Sequence, residues 1–414
     1  MSTVAPQIEL NTDNQPVDAE LVHTADLVAT AEIVRSSERR VVYLKPEKRF
    51  SILSIPATIF AFLWDTAGLT VLLAVTTAVP IVQLAALGYM LYAASRLSSG
   101  RPWREALPGR RIAGRMSTFI GWMVLLWLPV WFVTDLSYRT QLMLPGSPQA
   151  TAWRLGSFAS AAAWTIWVVW AALRGGRWWH FLWPAPIQFV KQIWRPSFWS
   201  GAADRLWDLA VSLHFPQLWW LGARAAAGAL VWLAIPVSLM VIGLRAQQLQ
   251  VAGLLGFIGA VLLTWVMMVL PQAQIVFAER NQFRALFDVR EVRRRFKHAP
   301  IAVTLTLVIL YSLCMPLYLM RIEATPQELA WLPSLVYIVM MLPAKILMGA
   351  ALGYAARRPK PRMWLLRWPV FGLLIAGSLF YVGSLYIGQF IAWQGVYVMY
   401  LQHAVMVPTP LISQ

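Results

Sequence analysis

The segment PQAQIVFAERNQFRALFDVREVRRRFKHAP, residues 271–300, decides how this chain is organised. It starts in the last turns of one apolar run, passes through an arginine-rich stretch and ends where a second apolar run begins. Apolar residues recur at helical spacing across residues 283–296. Two pairs of opposite charge stand four residues apart, Arg284 with Asp288 and Glu291 with Arg295. The pattern predicts a continuous amphipathic helix at the membrane surface, between two membrane spans.

The composition of the 414 residues is typical of a protein that lies in lipid. Hydrophobic residues make up 59% of the chain and charged residues only 13%, and 23 residues are Trp. The formal net charge is +17, but the basic residues cluster between apolar runs, where contact with anionic lipid headgroups explains them better than nucleic acid does. We therefore predict no nucleic-acid partner. Cys314 is the single cysteine, which excludes an intrachain disulfide and a cysteine metal site.

Eight apolar runs are long enough to cross a membrane as helices, because lipid leaves backbone polar groups no other partner. They are residues 67–94, 116–136, 153–173, 218–244, 251–277, 300–320, 331–355 and 367–391. A shorter run, residues 50–64, precedes them and is interrupted by Asp65. It is either an interfacial helix or a short crossing. The expected fold is all-α, a polytopic transmembrane helical bundle with eight long spans and one short membrane segment.

The connections between the runs alternate in charge. Residues 95–115, 174–217, 278–299 and 356–367 hold six, five, seven and five Lys or Arg, whereas the alternate connections hold four in all. The positive-inside rule places the four basic connections in the cytoplasm. A basic collar at residues 35–49 also favours the cytoplasm, which conflicts with eight crossings unless residues 50–64 form a ninth.

Three matches in the same order predict an internal duplication of the chain. They are Gly68–Pro80 with Gly259–Pro271, Trp103-Arg104 with Phe283-Arg284, and Leu128–Trp131 with Met315–Tyr318. We therefore divide the chain into a polar tail at residues 1–49, a first membrane half at 50–245 with cytoplasmic amphipathic helices, and a second half at 246–414. The tail is predicted to be disordered, with a short docking helix or strand as the alternative.

Basic residues of the duplicated segments are candidates for an anion or lipid-headgroup site. The site would be assembled from both copies by Arg104, Arg110, Arg284 and Arg290. A plain topology anchor explains the same residues. Arg174-Gly-Gly-Arg177 is a second candidate, because glycines between arginines can present backbone N–H groups to phosphate. The aromatic residues after Arg177 favour an interfacial anchor instead. Residues 187–213 are predicted to form two amphipathic helices separated at Pro196.

Lys345 is unusual because it lies near the middle of its apolar run. A charge at that depth costs roughly 2.5 to 3.5 kcal/mol, so it either faces a cavity or partner, or snorkels to the surface. Gln83 and Gln274, which follow the matched prolines, are its candidate acceptors. The absence of carboxylates in the middle of the runs argues against a proton- or sodium-driven carrier.

The sequence offers no catalytic or metal-binding constellation. The five histidines are scattered without a helical pair, and no serine, histidine and acid stand out as a set. We therefore expect a protein that is not an enzyme, with no catalytic residues, no metal and no cofactor.

Several motifs together resemble an uncharacterised family of bacterial multi-pass membrane proteins. They are Arg174-Gly-Gly-Arg177, His180–Pro184, Phe283–Phe296, Pro316–Leu319 with Ile322-Glu323, Pro343–Lys345 and Gln402–Ala404. The layout is similar to the membrane portion attached to some glycerophosphodiester phosphodiesterases, without their catalytic barrel. The resemblance implies a fold and a membrane address but no activity, and it implies arginine where Lys345 stands.

These observations predict a multi-pass protein of the bacterial cytoplasmic (inner) membrane that binds anionic lipid or serves in an envelope complex. Its partners would be membrane lipids, with other envelope proteins as further candidates, and the sequence leaves the oligomeric state open. The alternative is a carrier or lipid-translocating protein with a pathway between the two halves, near Lys345, Gln83 and Gln274.

Overall fold

A computed structural model of the chain describes residues 54–183, 185–319, 332–391, 395, 398–401 and 403. The described residues form helices and turns and no strand. The α-helices are α1 (Ser54–Ala78), α2 (Gln83–Ser98), α3 (Arg110–Met143), α4 (Pro148–Leu173), α5 (Trp178–Leu182), α6 (Pro186–Ile193), α7 (Pro196–Ser212), α8 (Phe215–Arg245), α9 (Leu249–Arg280), α10 (Val289–His298), α11 (Pro300–Leu319), α12 (Leu332–Arg357), α13 (Trp364–Ile391) and α14 (Val398–Leu401). Short 3-10 helices at Trp103–Glu105 and Phe283–Phe287 precede α3 and α10. The predicted tail, residues 1–49, lies outside the described residues.

The all-α membrane fold is confirmed. Eight described helical segments are long and apolar enough to cross a membrane. They contain α1, α3, α4, α8, α9, α11, α12 and α13. Seven of these helices, from α3 onward, correspond to predicted runs. The chain is a multi-pass membrane protein.

The predicted run at residues 67–94 is wrong, because the helix breaks within it. α1 ends at Ala78, and α2 begins at Gln83 after a turn at Pro80 and Ile81. Proline has no N–H with which to continue a helix, and Ile81 takes left-handed backbone with φ of 69°. Residues 54–64, the described part of the predicted short segment, instead belong to α1. The short membrane segment is therefore α2, whose 16 residues span about 24 Å.

α2 lies at the centre of the bundle, packed against α8, α9 and α12. Along most of its length the side chains are buried. The closest approach is at Gly88 and Gly222. A Cβ at Gly88 would lie 1.8 Å from the Leu218 carbonyl oxygen, and one at Gly222 would lie 1.8 Å from that of Leu84. Only glycine at both positions allows the two backbones to meet so closely.

Two cores of different size hold the spans together. The large core draws on α1, α2, α8, α9 and the helices α11 to α13. A smaller core forms where Val168 and Ala171 of α4 meet Phe181 of α5, with aromatic residues of α3 packed around them. α3 and α4 pack chiefly against each other. These two helices thus leave most of their apolar surface to lipid.

The continuous helix predicted at residues 283–296 is wrong. The chain forms a 3-10 helix at Phe283–Phe287, and α10 begins after Asp288. Asp288 causes this break because its side chain accepts a hydrogen bond from the Glu291 backbone N–H at 3.1 Å, as an N-cap does. The predicted pair of amphipathic helices at residues 187–213 is confirmed as α6 and α7, with Pro196 as the first residue of α7.

The matched segments of the predicted duplication are partly alike. A 3-10 helix forms at Trp103–Glu105 and at Phe283–Phe287, both positions where the sequences align. The two prolines differ, since Pro80 lies in the turn before α2 whereas Pro271 lies inside α9. The duplication stays a prediction, as does the division into halves. Residues 59–414 group into one compact unit.

Candidate functional site

Three of the four basic connections meet at one end of the bundle. Ser98, at the end of α2, contacts Glu279 of α9 and Arg295 of α10. The backbone N–H of Arg362, between α12 and α13, donates to the carbonyl oxygen of Lys297 at 3.0 Å. This end of the bundle, which we call the basic end, therefore collects residues 98–105, 279–298 and 357–362. Their shared location agrees with the prediction that they lie on the same side of the membrane.

An ion-pair network organises the basic end. Arg295 is buried, and its Nη1 lies 2.9 Å from Oε2 of Glu279 and donates to Oγ of Ser98 at 2.8 Å. The Ser98 hydroxyl in turn donates to the same carboxylate oxygen of Glu279 at 2.7 Å. Arg295 Nε donates to Oε1 of Glu291 at 2.8 Å, so the predicted pair Glu291–Arg295 is confirmed. These contacts join α2, α9 and α10.

Two further arginines complete the network. Arg280 lies 3.0 Å from Asp288 and 3.4 Å from Glu291, and Arg294 lies 2.6 Å from Glu291. Asp288 is thus paired with Arg280, and not with Arg284 as the spacing predicted, because the break before α10 ends the i,i+4 relation. Three arginines and three carboxylates balance in charge, which favours burial of Glu291 and Arg295 at the centre of the network.

The network lowers the pKa of two of its carboxyl groups, those of Asp288 and Glu291. The Glu291 backbone N–H and the Arg280 guanidinium lower the pKa of Asp288, although partial burial opposes them. Burial alone would raise the pKa of Glu291, but hydrogen bonds from Arg295 and Arg294 outweigh it and lower that pKa. Burial opposes the charge of Arg295, yet the two glutamates raise its pKa. Each pair therefore favours the charged form of its partner.

The predicted anion-binding residues lie on the surface around this network. Arg284 and Arg290 are exposed beside it, as is Arg104 in the first 3-10 helix. Arg110 is partly buried, with its guanidinium carbon 4.2 Å from the centre of the Phe62 ring. The contact that joins the two predicted copies is made by Ser98, Glu279 and Arg295, which are not among the predicted site residues.

In the Arg174–Arg177 segment, Arg174 makes the contacts with neighbouring aromatic residues that an interfacial anchor would make. Arg174 Nη1 donates to the Trp183 carbonyl oxygen at 2.9 Å, and its guanidinium carbon lies 5.9 Å from the Trp170 ring. Arg177 is exposed. Burial, followed by the charges of Arg174 and Arg177, lowers the pKa of His180. The contacts of Arg174 thus favour the interfacial anchor over a ligand site.

Lys345 is buried, with 1% of its surface exposed, and so it does not snorkel. Its Nζ donates to Oε1 of Gln274 at 2.9 Å, which confirms Gln274 as its acceptor. Gln83 starts α2, at the turn that follows Pro80. Lys345 and Gln274 lie on α12 and α9, both in the second predicted half.

A second set of polar contacts, made by tyrosines, lies between α11 and α13. Tyr311 and Tyr318 lie on one face of α11, and the hydroxyl of Tyr318 shares a hydrogen bond with that of Tyr381 on α13. The Tyr311 hydroxyl donates to the Met267 carbonyl oxygen at 2.8 Å, and Ser378 Oγ donates to the Tyr311 hydroxyl at 3.4 Å. This cluster was not predicted, although Tyr311 and Tyr318 are seven residues apart inside an apolar run, a spacing that places them on one face of a helix.

The structure assigns a membrane fold, a charge-balanced basic end and a buried lysine, but these features occur in proteins with many functions. The family resemblance stays a prediction. Comparisons of the chain with protein-family models, with curated proteins and with solved structures found no match.

Proposed function

We propose that this chain is a non-enzymatic protein of the bacterial inner membrane whose basic end binds anionic lipid headgroups. One observation carries the proposal: α10 and the 3-10 helix before it divide their cations into two sets. Arg295 is committed to buried ion pairs that hold α10 against α2 and α9. Arg284, Arg290, Arg293 and Lys297 remain exposed on the outer surface.

The buried set makes the exposed set suitable for binding. Because the network is neutral by itself, the exposed cations are a net positive surface on a helix fixed in place. Phe283 and Phe287 are exposed next to them, as expected for a segment that lies among lipid headgroups. Each exposed Arg or Lys near an anionic surface contributes about 1 kcal/mol.

The test is lipid retention by the purified protein in native mass spectrometry. We expect the double variant Arg284→Gln/Arg290→Gln to retain phosphatidylglycerol or cardiolipin on the order of tenfold less than the unaltered chain. Arg139→Gln/Arg154→Gln is the matched control, because it removes two arginines at the ends of α3 and α4 outside the basic end. Equal retention by the two double variants would refute the proposal.

The alternative of a carrier with a pathway between the halves has less support. Lys345, Gln274, Tyr311 and Tyr381 all belong to the second predicted half, on α12, α9, α11 and α13. Among the described residues, no hydrogen bond joins Lys345 to Gln83 of the first predicted half, although α2 packs against α9 and α12. We therefore favour lipid binding.

A further inference from the structure

One face of α7 is fixed to the end of a membrane span. Nη2 of Arg205 donates to the carbonyl oxygen of Leu173, the last residue of α4, at 2.9 Å. The ring of Phe198 lies 5.5 Å from that of Trp170, one turn before this end. Ala202, on the same face of α7, is buried. Because α4 is long and apolar enough to cross the membrane, its end lies at the membrane surface, and so does α7.

A second sector of α7 is apolar and exposed. At helical spacing, Trp199, Trp207 and Val211 fall within one sector of the helix, beside the face that contacts α4. All three side chains are exposed, and Trp207 has 71% of its surface free. The remaining sector is polar and carries Asp204 and Asp208, which are also exposed. Thus α7 has three sectors, of which the apolar one has no cover within the described residues.

The helices before α7 carry further exposed apolar residues. In α6 and at its end, Ile187, Val190 and Trp194 recur at helical spacing and are exposed, Trp194 by 84%. α5 adds exposed Trp179, and Trp183 is exposed directly after it. Tryptophan is the residue most typical of the headgroup level of a bilayer. The composition of this surface therefore agrees with its place at the end of a span.

The charge of α6 and α7 differs from that of the basic end. Residues 186–212 hold three Lys or Arg and two carboxylates, and one of the three cations, Arg205, is already bonded to the end of α4. By contrast, the ten residues of α10 hold five Lys or Arg and one carboxylate. Attraction to anionic headgroups is therefore weak at α6 and α7, and their exposed apolar side chains supply the driving force for contact with lipid.

We propose that α6 and α7 form a surface that inserts into one leaflet of the membrane and binds zwitterionic lipid as readily as anionic lipid. The contacts of Arg205 and Phe198 make the apolar sector of α7 continuous with the lipid-facing surface of α4. Insertion removes the tryptophans from water, while Asp204 and Asp208 stay in contact with it. This surface is separate from the basic end and does not depend on lipid binding there.

The experiment uses the full chain, reconstituted into phosphatidylcholine vesicles that contain lipid with a quencher on the acyl chain near the headgroup. In a Cys314→Ala background, Trp207→Cys and its matched control Asp208→Cys are labelled with an environment-sensitive fluorophore. We expect the probe at Trp207→Cys to lose roughly half of its fluorescence to the lipid quencher, and the probe at Asp208→Cys to lose little. Iodide in the water should quench the two probes in the opposite order.

A second measurement needs no variant. The unaltered chain is reconstituted with phosphatidylcholine that carries a photoreactive group on its acyl chain, and the labelled residues are identified by mass spectrometry. We expect labels on the exposed apolar residues of α6 and α7 and none on Asp204 or Asp208. Residues 186–212 without any label would overturn the proposal even if the labelled variants fail to fold.

Two further outcomes decide what covers the surface. Quenching that changes less than about twofold when phosphatidylglycerol replaces phosphatidylcholine supports binding without charge selection. Quenching that appears only with phosphatidylglycerol shows that charge carries the contact, and it overturns the proposal. A probe at Trp207→Cys that is shielded from both quenchers, together with crosslinking of unlabelled Trp207→Cys between chains, shows that a second copy covers this face, which also overturns it.

Discussion

Arg295 is the residue on which the basic end depends. Replacing it with methionine keeps the aliphatic packing but leaves Glu279 without its ion-pair partner and removes one of three arginines from Glu291. Breaking a buried pair in this way should lower the free energy of unfolding by about 3 kcal/mol. The measurement is SDS titration in mixed micelles.

Arg294 is the matched control for Arg295. It contacts the same carboxylate, but its side chain is 66% exposed. Solvent screens such a pair, so Arg294→Gln should change the free energy of unfolding by less than about 1 kcal/mol. Similar losses for Arg295→Met and Arg294→Gln would show that burial of the network adds nothing.

Asp288 makes the stability of the basic end depend on pH. Its pKa in the folded state is below the ordinary value of 3.8, so its stabilising contribution is complete above that value and is lost as pH falls through the lower folded pKa. Glu291, with an ordinary value of 4.5 and a lowered folded pKa, acts in the same direction. We expect the unfolding temperature to fall as pH drops below about 4.5.

The variant that checks this dependence is Asp288→Asn. Asparagine caps a helix as well as aspartate does, so α10 should still begin at Val289 while one titrating group is lost. We expect a shallower decline in unfolding temperature between about pH 4.5 and pH 3 than in the unaltered chain. An unchanged acid profile would mean that Asp288 does not contribute.

At the scale of helices, a tyrosine of α11 supplies the hydrogen bond that a proline in α9 cannot donate. Pro271 has no N–H to donate to the carbonyl oxygen of Met267, four residues earlier, and the Tyr311 hydroxyl donates to that oxygen at 2.8 Å. Tyr311→Phe leaves this buried acceptor without its partner. It should cost about 1 to 3 kcal/mol of unfolding free energy.

A double-mutant cycle isolates this pairing. Pro271→Ala restores a backbone N–H in reach of the Met267 carbonyl, so Tyr311→Phe should cost less in the Pro271→Ala background than in the unaltered chain. Ser378, which donates to the Tyr311 hydroxyl, is unchanged in both backgrounds and cancels from the comparison. If Tyr311→Phe lowers the free energy of unfolding equally in the two backgrounds, the Tyr311 hydroxyl does not take the place of the missing Pro271 N–H.

Hydropathy predicted the helices well where a run ended at polar residues. α3, α4, α8, α9, α11, α12 and α13 all follow from their apolar length, because lipid enforces helical backbone. The break between α1 and α2 was missed, since Pro271, Pro316 and Pro343 lie inside unbroken helices while Pro80 ends one. The presence of a proline therefore does not by itself predict whether a helix continues through that position or ends there.

The sites were predictable to the extent that spacing determines contacts. Glu291 and Arg295 are one helical turn apart, and their pairing followed from the sequence. Ser98 contacts Arg295 from 197 residues away, and only the packing of α2 against α9 brings them together. Gln274 and Lys345 could be matched because few polar residues lie inside the apolar runs. That contact was predictable because polar residues are scarce inside the runs, and not because of the spacing between the two residues.

At the scale of the whole molecule, the pair α1 and α2 removes a conflict in the predicted topology. A basic collar precedes α1 and a basic connection follows α2. Whether both helices cross the membrane or together enter and return, an even number of segments brings the chain back to the same side. The collar and residues 99–109 can therefore both obey the positive-inside rule.

Labelling of single cysteines tests this topology in a Cys314→Ala background. We expect Ser37→Cys and Ser99→Cys to react with a membrane-impermeant maleimide from the same side in inside-out vesicles, because α1 and α2 lie between them. Leu144→Cys, in the connection after α3, should react only from the opposite side, since α3 crosses once. Reaction of Ser37→Cys from the side of Leu144→Cys would mean that α1 and α2 together make a single crossing.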